Sequence, residues 1–174
     1  MVAVVSGTNR KESVSLKIAR QYAGFLQALE QDVEIIDLQG IPRDFVFSAL
    51  YENVGKNDHF NHFREVMNRA EKFAFIIPEY NGSFPGVLKV FIDGLDREKA
   101  LADKKSALLG ISAGDQGAGL ALSHFTDILN YCGSHVLGYR IRIPNIGGKM
   151  TDNKIASPLY IDKVQKQAGK LVDF

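Results

Sequence analysis

A chain of 174 residues is expected to form one domain, 1–174, around a single core. With 45% hydrophobic and 24% charged residues, it is not a disordered chain, a collagen-like fibre or a disulfide mini-protein. Lys and Arg total 21 and Asp and Glu 20; a net charge of +1 lacks the basic excess of a nucleic-acid or anionic-membrane binder.

Residues 2–5 form a continuous apolar run. This reads as a strand covered on both faces and not as a signal peptide. No apolar run approaches the ~20 residues that span a bilayer. The one cysteine, Cys132, cannot form an internal disulfide, and cytoplasm is the expected location. After a polar turn, Ile18, Ala19, Tyr22, Phe25, Leu26 and Leu29 recur at helical spacing. Residues 33–37 are a second strand. Residues 39–56 are irregular, and their Phe45, Phe47, Leu50 and Tyr51 either cover the core or rim a partner's site.

Asn57 or Asp58 caps the next helix, with Phe60, Phe63, Val66, Met67 and Ala70 as its stripe. Residues 73–77 are the third strand, stopped by Pro78. Pro85 suits a first helical position, and Val87, Leu88, Phe91 and Leu95 face inward behind it. Residues 106–111 are the fourth strand. Leu122, Phe125, Leu129 and Cys132 lie on one side of the next helix, and residues 135–143 are the fifth strand. Ser157-Pro158 opens a last helix carrying Ile161, Val164, Ala168 and Leu171. Such alternation predicts an α/β fold, a parallel sheet with helices on both faces. Its ligands bind at the carboxyl ends of the strands, so chemistry is expected in the turns after strands one, three and four.

The first turn, residues 6–15, holds Ser6, Thr8, Ser13, Ser15 and Arg10 where a strand ends and a helix begins. Hydroxyls and free amides there suit a phosphate; a plainly capped helix is the alternative. The Gly-x-x-x-x-Gly-Lys-Ser/Thr loop is missing, and only Gly7 of a three-glycine dinucleotide fingerprint is present. Asp37 therefore reads as a solvated strand-end acid, and the turn favours a mononucleotide phosphate. In the second turn, Pro78 and Pro85 stiffen the ends, and Gly82 and Gly86 permit close backbone approach. Tyr80 and Asn81 offer an aromatic face and a donor–acceptor pair, suited to a planar heterocycle. An ordinary Asn-Gly turn is the bland alternative.

The run Pro78-Glu79-Tyr80-Asn81-Gly82-Ser83-Phe84-Pro85-Gly86-Val87-Leu88-Lys89, followed by Ile92-Asp93, resembles the NAD(P)H-dependent FMN reductases of the flavodoxin-like fold. The first turn is similar to that family's phosphate loop, and Gly110-Ile111-Ser112-Ala113-Gly114 to its last flavin-contacting loop. The resemblance implies a three-layer sandwich with a five-stranded parallel sheet in the order 2-1-3-4-5. It implies that Ser6, Thr8, Arg10, Ser13, Ser15 and the Val14 amide hold the FMN phosphate. Pro78, Glu79, Tyr80, Asn81 and Gly82 would line the flavin ring; Ser112, Gly114 and the Asp115 backbone would close its other side. It further implies NADPH or NADH as hydride donor, a small electron acceptor (flavin, quinone, azo compound or metal oxyanion), and a homodimer or homotetramer. No side-chain acid or base is obligatory for hydride transfer, so no catalytic residue and no metal ligand are named.

The chain departs from the family pattern at Thr8-Asn9, at Ser15 in place of Asn, at Gly94 in place of Trp, and at Asp115-Gln116. It also lacks the family's Arg near position 120. A carboxylate at Asp115 beside the ring would oppose negative charge on a reduced flavin. A flavodoxin-like FMN carrier and an FMN-free interaction module are the rival readings. A response-regulator domain is excluded, because Ser6-Gly7-Thr8 stands where its acid cluster belongs. His59 and His62 on one helix read as a solvated face, and His124 and His135 show no evident partner. Cys132 reads as a buried small hydrophobe, and Lys163, Lys166 and Lys170 as a solvated basic face. With the length used up by five strand–helix units, donor and acceptor are expected to alternate over one flavin face.

Overall fold

The computed structural model describes residues 1–174, the side chain of Arg97 apart. Strand β1 (Val2–Ser6) lies in the middle of the sheet, between β2 (Val33–Asp37) and β3 (Lys72–Pro78). Strand β4 (Lys105–Ile111) pairs with β3 in parallel register, Lys72 opposite Lys105 and Pro78 opposite Ile111. The order β2-β1-β3-β4-β5 is the expected one, and every pairing in this sheet is parallel.

Side chains of β1 alternate between two cores, as the pleat requires. Val2 and Val4 pack under α1 (Val14–Ala28) and α7 (Pro158–Asp173), against Ile18, Tyr22, Leu26, Val164 and Leu171. Ala3 and Val5 face α3 (Asp58–Arg69), α4 (Gly86–Asp93) and α6 (Gly119–Tyr131), among Phe60, Phe91 and Phe125. The helices start where capping chemistry allows. The Ser13 hydroxyl accepts from the Leu16 amide at 3.1 Å, and Asn57 Oδ1 from the Phe60 amide at 3.0 Å. The Tyr22 hydroxyl is buried without a hydrogen-bond partner, and burial holds the phenol above its ordinary pKa. Desolvation holds the Lys104 ammonium below its usual value, while nearby Glu71 pulls it up. Its Nζ donates to the Met67 and Asn68 carbonyls at the end of α3, 2.9 and 2.8 Å away.

The fifth strand differs from expectation: it is broken in two. β5 (His135–Val136) pairs with the start of β4, and β6 (Ile141–Ile143) with its end. The chain bulges out between them at residues 137–140. Gln167 of α7, fully buried, fills the gap. Its Nε2 donates to the Leu108 carbonyl at 3.0 Å and to the Tyr139 carbonyl at 2.6 Å. A side chain thus does what an unbroken strand would have done.

Residues 39–56 contain short turns, including α2 (Phe45–Ser48). Phe45 and Leu50 are buried and cover the core, whereas Phe47 and Tyr51 are 83% and 85% exposed. The sequence reading also missed the short helix α5 (Arg97–Ala100) and a small hairpin, β7 (Met150–Thr151) with β8 (Lys154–Ile155). Gly94 has a packing reason: a Cβ there would lie 2.5 Å from the Phe60 ring, which also stacks on Phe45.

Candidate functional site

Three loops meet at the carboxyl edge of β1, β3 and β4. In the first, the Gly7 amide bonds the Ile76 carbonyl at 2.9 Å, and a Cβ on Gly7 would sit as close to that same oxygen. Ser6, Thr8, Ser13 and Ser15 are all buried. Ser6 Oγ has no hydrogen-bond partner. The Ser13 hydroxyl accepts from Leu16, which leaves its proton free to donate. No acidic residue stands in the first turn of α1. Arg10 and Lys11, both exposed, bring positive charge to the same loop.

The second loop is a tight hairpin. The Tyr80 and Ser83 backbones exchange hydrogen bonds of 2.8 and 3.0 Å around Asn81 and Gly82. These two residues have φ of 50° and 75°, the pair of positive values that a type I′ turn demands and Asn-Gly favours. Ser83 Oγ lies 2.9 Å from Nδ1 of His124, so that histidine does have a partner. The Tyr80 hydroxyl reaches the first loop and lies 2.7 Å from Thr8 Oγ1. Tyr80 therefore joins the phosphate loop to the ring loop, a role its place in the sequence did not reveal. Glu79 Oε2 accepts from the Ala118 amide at 3.0 Å, which ties the second loop to the third.

In the third loop the Ser112 hydroxyl is committed to shape. It donates to the Gly114 carbonyl at 2.6 Å and accepts from the Gly117 amide at 2.8 Å. The segment after β6 folds back on this loop: the Asn145 amide bonds the Gly114 carbonyl, and the Ile146 amide the Ser112 carbonyl. Asn145 Nδ2 holds Asp115 Oδ1 at 2.6 Å.

The loops enclose a cleft of about 460 Å³. Of the expected residues, Thr8, Arg10, Ser13, Val14, Ser15, Pro78, Glu79, Tyr80 and Ser112 line it. Ser6, Asn81, Gly82, Gly114 and Asp115 do not line it: Ser6 is fully buried, Asn81 and Gly82 form the hairpin tip, and Gly114 and Asp115 lie on a ridge beyond. Asp115 lines a neighbouring cleft instead, and Asn145 holds one of its carboxylate oxygens. Lys11, Glu12, Ile111, Ala113 and Ile146 also line the site; the first four lie in the turns singled out from the sequence but not among the named contacts, and Ile146 lies outside those turns. Lys11 was legible beside Arg10. Ile146 was not, since only long-range backbone bonds bring it there.

The other candidates have local explanations. Asp37 Oδ1 accepts from the Gln39 amide at 3.1 Å, as a strand-end cap. His59 and His62 are exposed on α3. Cys132 is half-buried at the end of α6, less enclosed than expected. Lys163 and Lys166 are not simply solvated: they lie 5.2 Å and 5.7 Å from the ring centres of Tyr160 and Tyr139.

The chain is similar in sequence to an NAD(P)H-dependent FMN reductase of Pseudomonas aeruginosa, with 31% identity over 76% of this chain and 71% of that one. A 2-hydroxy-1,4-benzoquinone reductase of Burkholderia sp. is 29% identical over 75% of this chain and 70% of that one. In structure it resembles the NAD(P)H:acceptor oxidoreductase FerB of Paracoccus denitrificans, with a TM-score of 0.77, 21% identity, and 99% and 94% of the two chains covered. An archaeal flavodoxin shares the fold at a TM-score of 0.65 and 13% identity, over 99% and 97% of the two chains. Residues 1–145 match the family model described as NADPH-dependent FMN reductase, and the chain belongs to that family.

Proposed function

We propose that the protein is an NAD(P)H-dependent flavoprotein that holds FMN in the three-loop cleft and reduces a small flavin or quinone acceptor. One observation carries the reading: three buried hydroxyls, of Thr8, Ser13 and Ser15, and the cations Arg10 and Lys11 gather at one end of a cleft whose other end is built from a stiff hairpin and the turn after β4. The donor set fits a phosphate monoester. Thr8, Ser13 and Ser15 would donate their hydroxyl protons, Val14 its amide, and Arg10 and Lys11 would balance the charge. The partnerless Ser6 Oγ is at the same loop. The Tyr80 hydroxyl would donate to Thr8 Oγ1, leaving the Thr8 proton for the phosphate, and pin the hairpin over it.

FMN, when bound, supplies the two-electron hydride chemistry. The protein's own residues bind and orient. Pro78, Glu79 and Tyr80 would line one side of the ring and Ala113 the other, with Asn81 and Gly82 shaping the turn. Glu79 holds the second loop against the third through Ala118. No residue of the cleft needs to move a proton for hydride transfer. Residues 1–174 act as one FMN-binding unit in this reading. Donor and acceptor share one opening and exclude each other, so double-reciprocal plots with FMN kept bound should be parallel.

The exposed Phe47 and Tyr51 support a homodimer or homotetramer, which sedimentation would test. Among the described residues no helix is long and apolar enough to cross a membrane; the lone half-buried cysteine supports a cytoplasmic setting.

The test is a titration of FMN into the flavin-free protein, followed by NADPH and NADH oxidation with a benzoquinone. Tight binding and rapid oxidation are expected, and Arg10→Ala should weaken FMN by about 1.5–3 kcal/mol. Bound FMN with negligible NAD(P)H oxidation would mark a carrier. Failure to bind FMN would mark an interaction module.

A further inference from the structure

Glu79 stands half-buried at the start of the second loop and lines the cleft. Its Oε2 accepts from the Ala118 amide at 3.0 Å. Ala118 precedes α6 with φ 60°, next to Gly117 at φ 59°, and its own side chain offers no acceptor. No acidic residue stands in the first turn of α6 either. The helix therefore takes its capping oxygen from the wall of the cleft. Both ends of Glu79 are held by backbone. Its amide bonds the Ile111 carbonyl at 2.9 Å. The Ala118 amide has little room to drift: a Cβ on Gly110 of β4 would lie 2.8 Å from the Gly117 carbonyl and 2.9 Å from Ala118 Cβ.

A cap alone needs no charge, since a glutamine would offer the same kind of oxygen. The charge acquires meaning from what surrounds it. Arg10 and Lys11 belong to the phosphate loop. Among the described residues, Glu79 is the one charged residue that the second and third loops bring to the lining of the cleft. Neither of its oxygens has a cation within ion-pair distance, and Oε1 has no hydrogen bond. Asp115 lines the neighbouring cleft, so the carboxylate at the ring end of this one is Glu79. The cleft is polarised, with cations at the phosphate end and a carboxylate without a counter-ion at the other.

That polarity bears on the redox step. A hydride delivers two electrons and one proton, so oxidised flavin gains one negative charge when the donor reduces it. Passing the hydride to a quinone, with one proton taken from water, yields the hydroquinone and removes that charge again. A fixed carboxylate beside the ring repels the charged state and leaves the neutral one alone. We propose that Glu79 sets the reducing power of the bound flavin: its carboxylate makes the cleft hold reduced FMN less tightly than oxidised FMN and so drives electrons out to the acceptor. This rests on the flavin reading of the cleft. Glu79 is a tuning residue in this account and transfers no proton, and its second task, capping α6, keeps the charge at a fixed place.

The test compares wild type, Glu79→Gln, Glu79→Ala and Glu12→Gln. Kd is measured on flavin-free protein for oxidised FMN, and under argon with dithionite for reduced FMN; the midpoint potential of the bound flavin is read against reference dyes. Wild type should bind reduced FMN the more weakly. In Glu79→Gln the ratio of the two Kd values should move about tenfold in favour of reduced FMN, the size expected of one charge half open to water, and the potential should rise with it. Tm should stay near wild type, because the glutamine oxygen can still accept from Ala118. Glu79→Ala should show the same shift and also a lower Tm, since it loses the cap. Glu12→Gln removes a carboxylate from the phosphate loop and should change both Kd values alike. A ratio unmoved in Glu79→Gln would overturn the proposal, and with a lower Tm in Glu79→Ala would leave Glu79 a cap only. An equal shift in Glu12→Gln would overturn it too, by showing that any lost charge serves. Absence of FMN binding by wild type would sink the flavin reading, and the tuning role with it; bound FMN with an unmoved ratio sinks the tuning role alone.

Discussion

Replacing Gln167 with Met tests whether a side chain really completes the sheet. Met keeps the length and apolar stem but removes the amide. The buried Leu108 carbonyl and the part-buried Tyr139 carbonyl, now bonded at 3.0 and 2.6 Å, would both lose their donor. Each orphaned carbonyl costs about 1–3 kcal/mol. The substitution also removes Gln167 Oε1, which is buried without a partner, and that returns a similar amount once. The net loss is about 2 kcal/mol. For a chain of this size it lowers Tm by about 4–8 °C. In urea, with m near 2 kcal/mol/M, the midpoint should move by about 1 M. FMN must be held at one concentration throughout, because a ligand of the native state stabilises by mass action. Gln167→Glu should fall further at neutral pH, since a carboxylate cannot donate to either carbonyl, and should recover as acid protonates it. A Met variant with an unmoved midpoint would show that the bulge needs no side-chain support.

Tyr80→Phe keeps the ring and removes the contact with Thr8, so FMN affinity should drop by about 1 kcal/mol with little change in Tm; fluorescence titration reads it. Gly82→Ala places a side chain at φ 75° and should cost about 1 kcal/mol, seen as a lower urea midpoint and weaker FMN binding together. Tyr22→Phe deletes a buried hydroxyl that has no partner and should leave stability unchanged or raise it by up to about 1 kcal/mol. It should also flatten the alkaline limb. Burial raises the folded phenol's pKa above the ordinary 10.0, so the unfolded chain releases its proton first, and wild-type stability falls as pH rises through and above that value.

The sheet was legible because burial has a period. Val2 to Val5 could not be other than a doubly covered strand, and the 3.6-residue stripes named the inward faces of α1, α3, α4, α6 and α7, apart from Leu29, which is exposed beyond the end of α1. The break in the fifth strand was not legible, because its cause, Gln167, stands far along the chain on another element. Asp152 and Asn153 were a missed local signal: with φ of 49° and 64° they turn the small hairpin, and Asp-Asn is a residue pair that tolerates such values. In the site, the residue types were readable and their directions were not. Ser112 lines the cleft, but its hydroxyl proton and one of its lone pairs are engaged by its own loop. Tyr80 read as a ring neighbour, and that its hydroxyl also lies on Thr8 was not legible.

The broken edge of the sheet also bears on solubility. An edge strand is a row of unpaired amides and carbonyls on which another chain can build. Here β5 has two residues and β6 three, separated by a bulge whose Tyr139 carbonyl is already taken by Gln167. The edge presents no continuous template, and the exposed Arg140 and Arg142 place charge on it. A mend that made residues 135–143 one unbroken strand would give the protein a longer ladder and a stickier surface, prone to edge-to-edge aggregation.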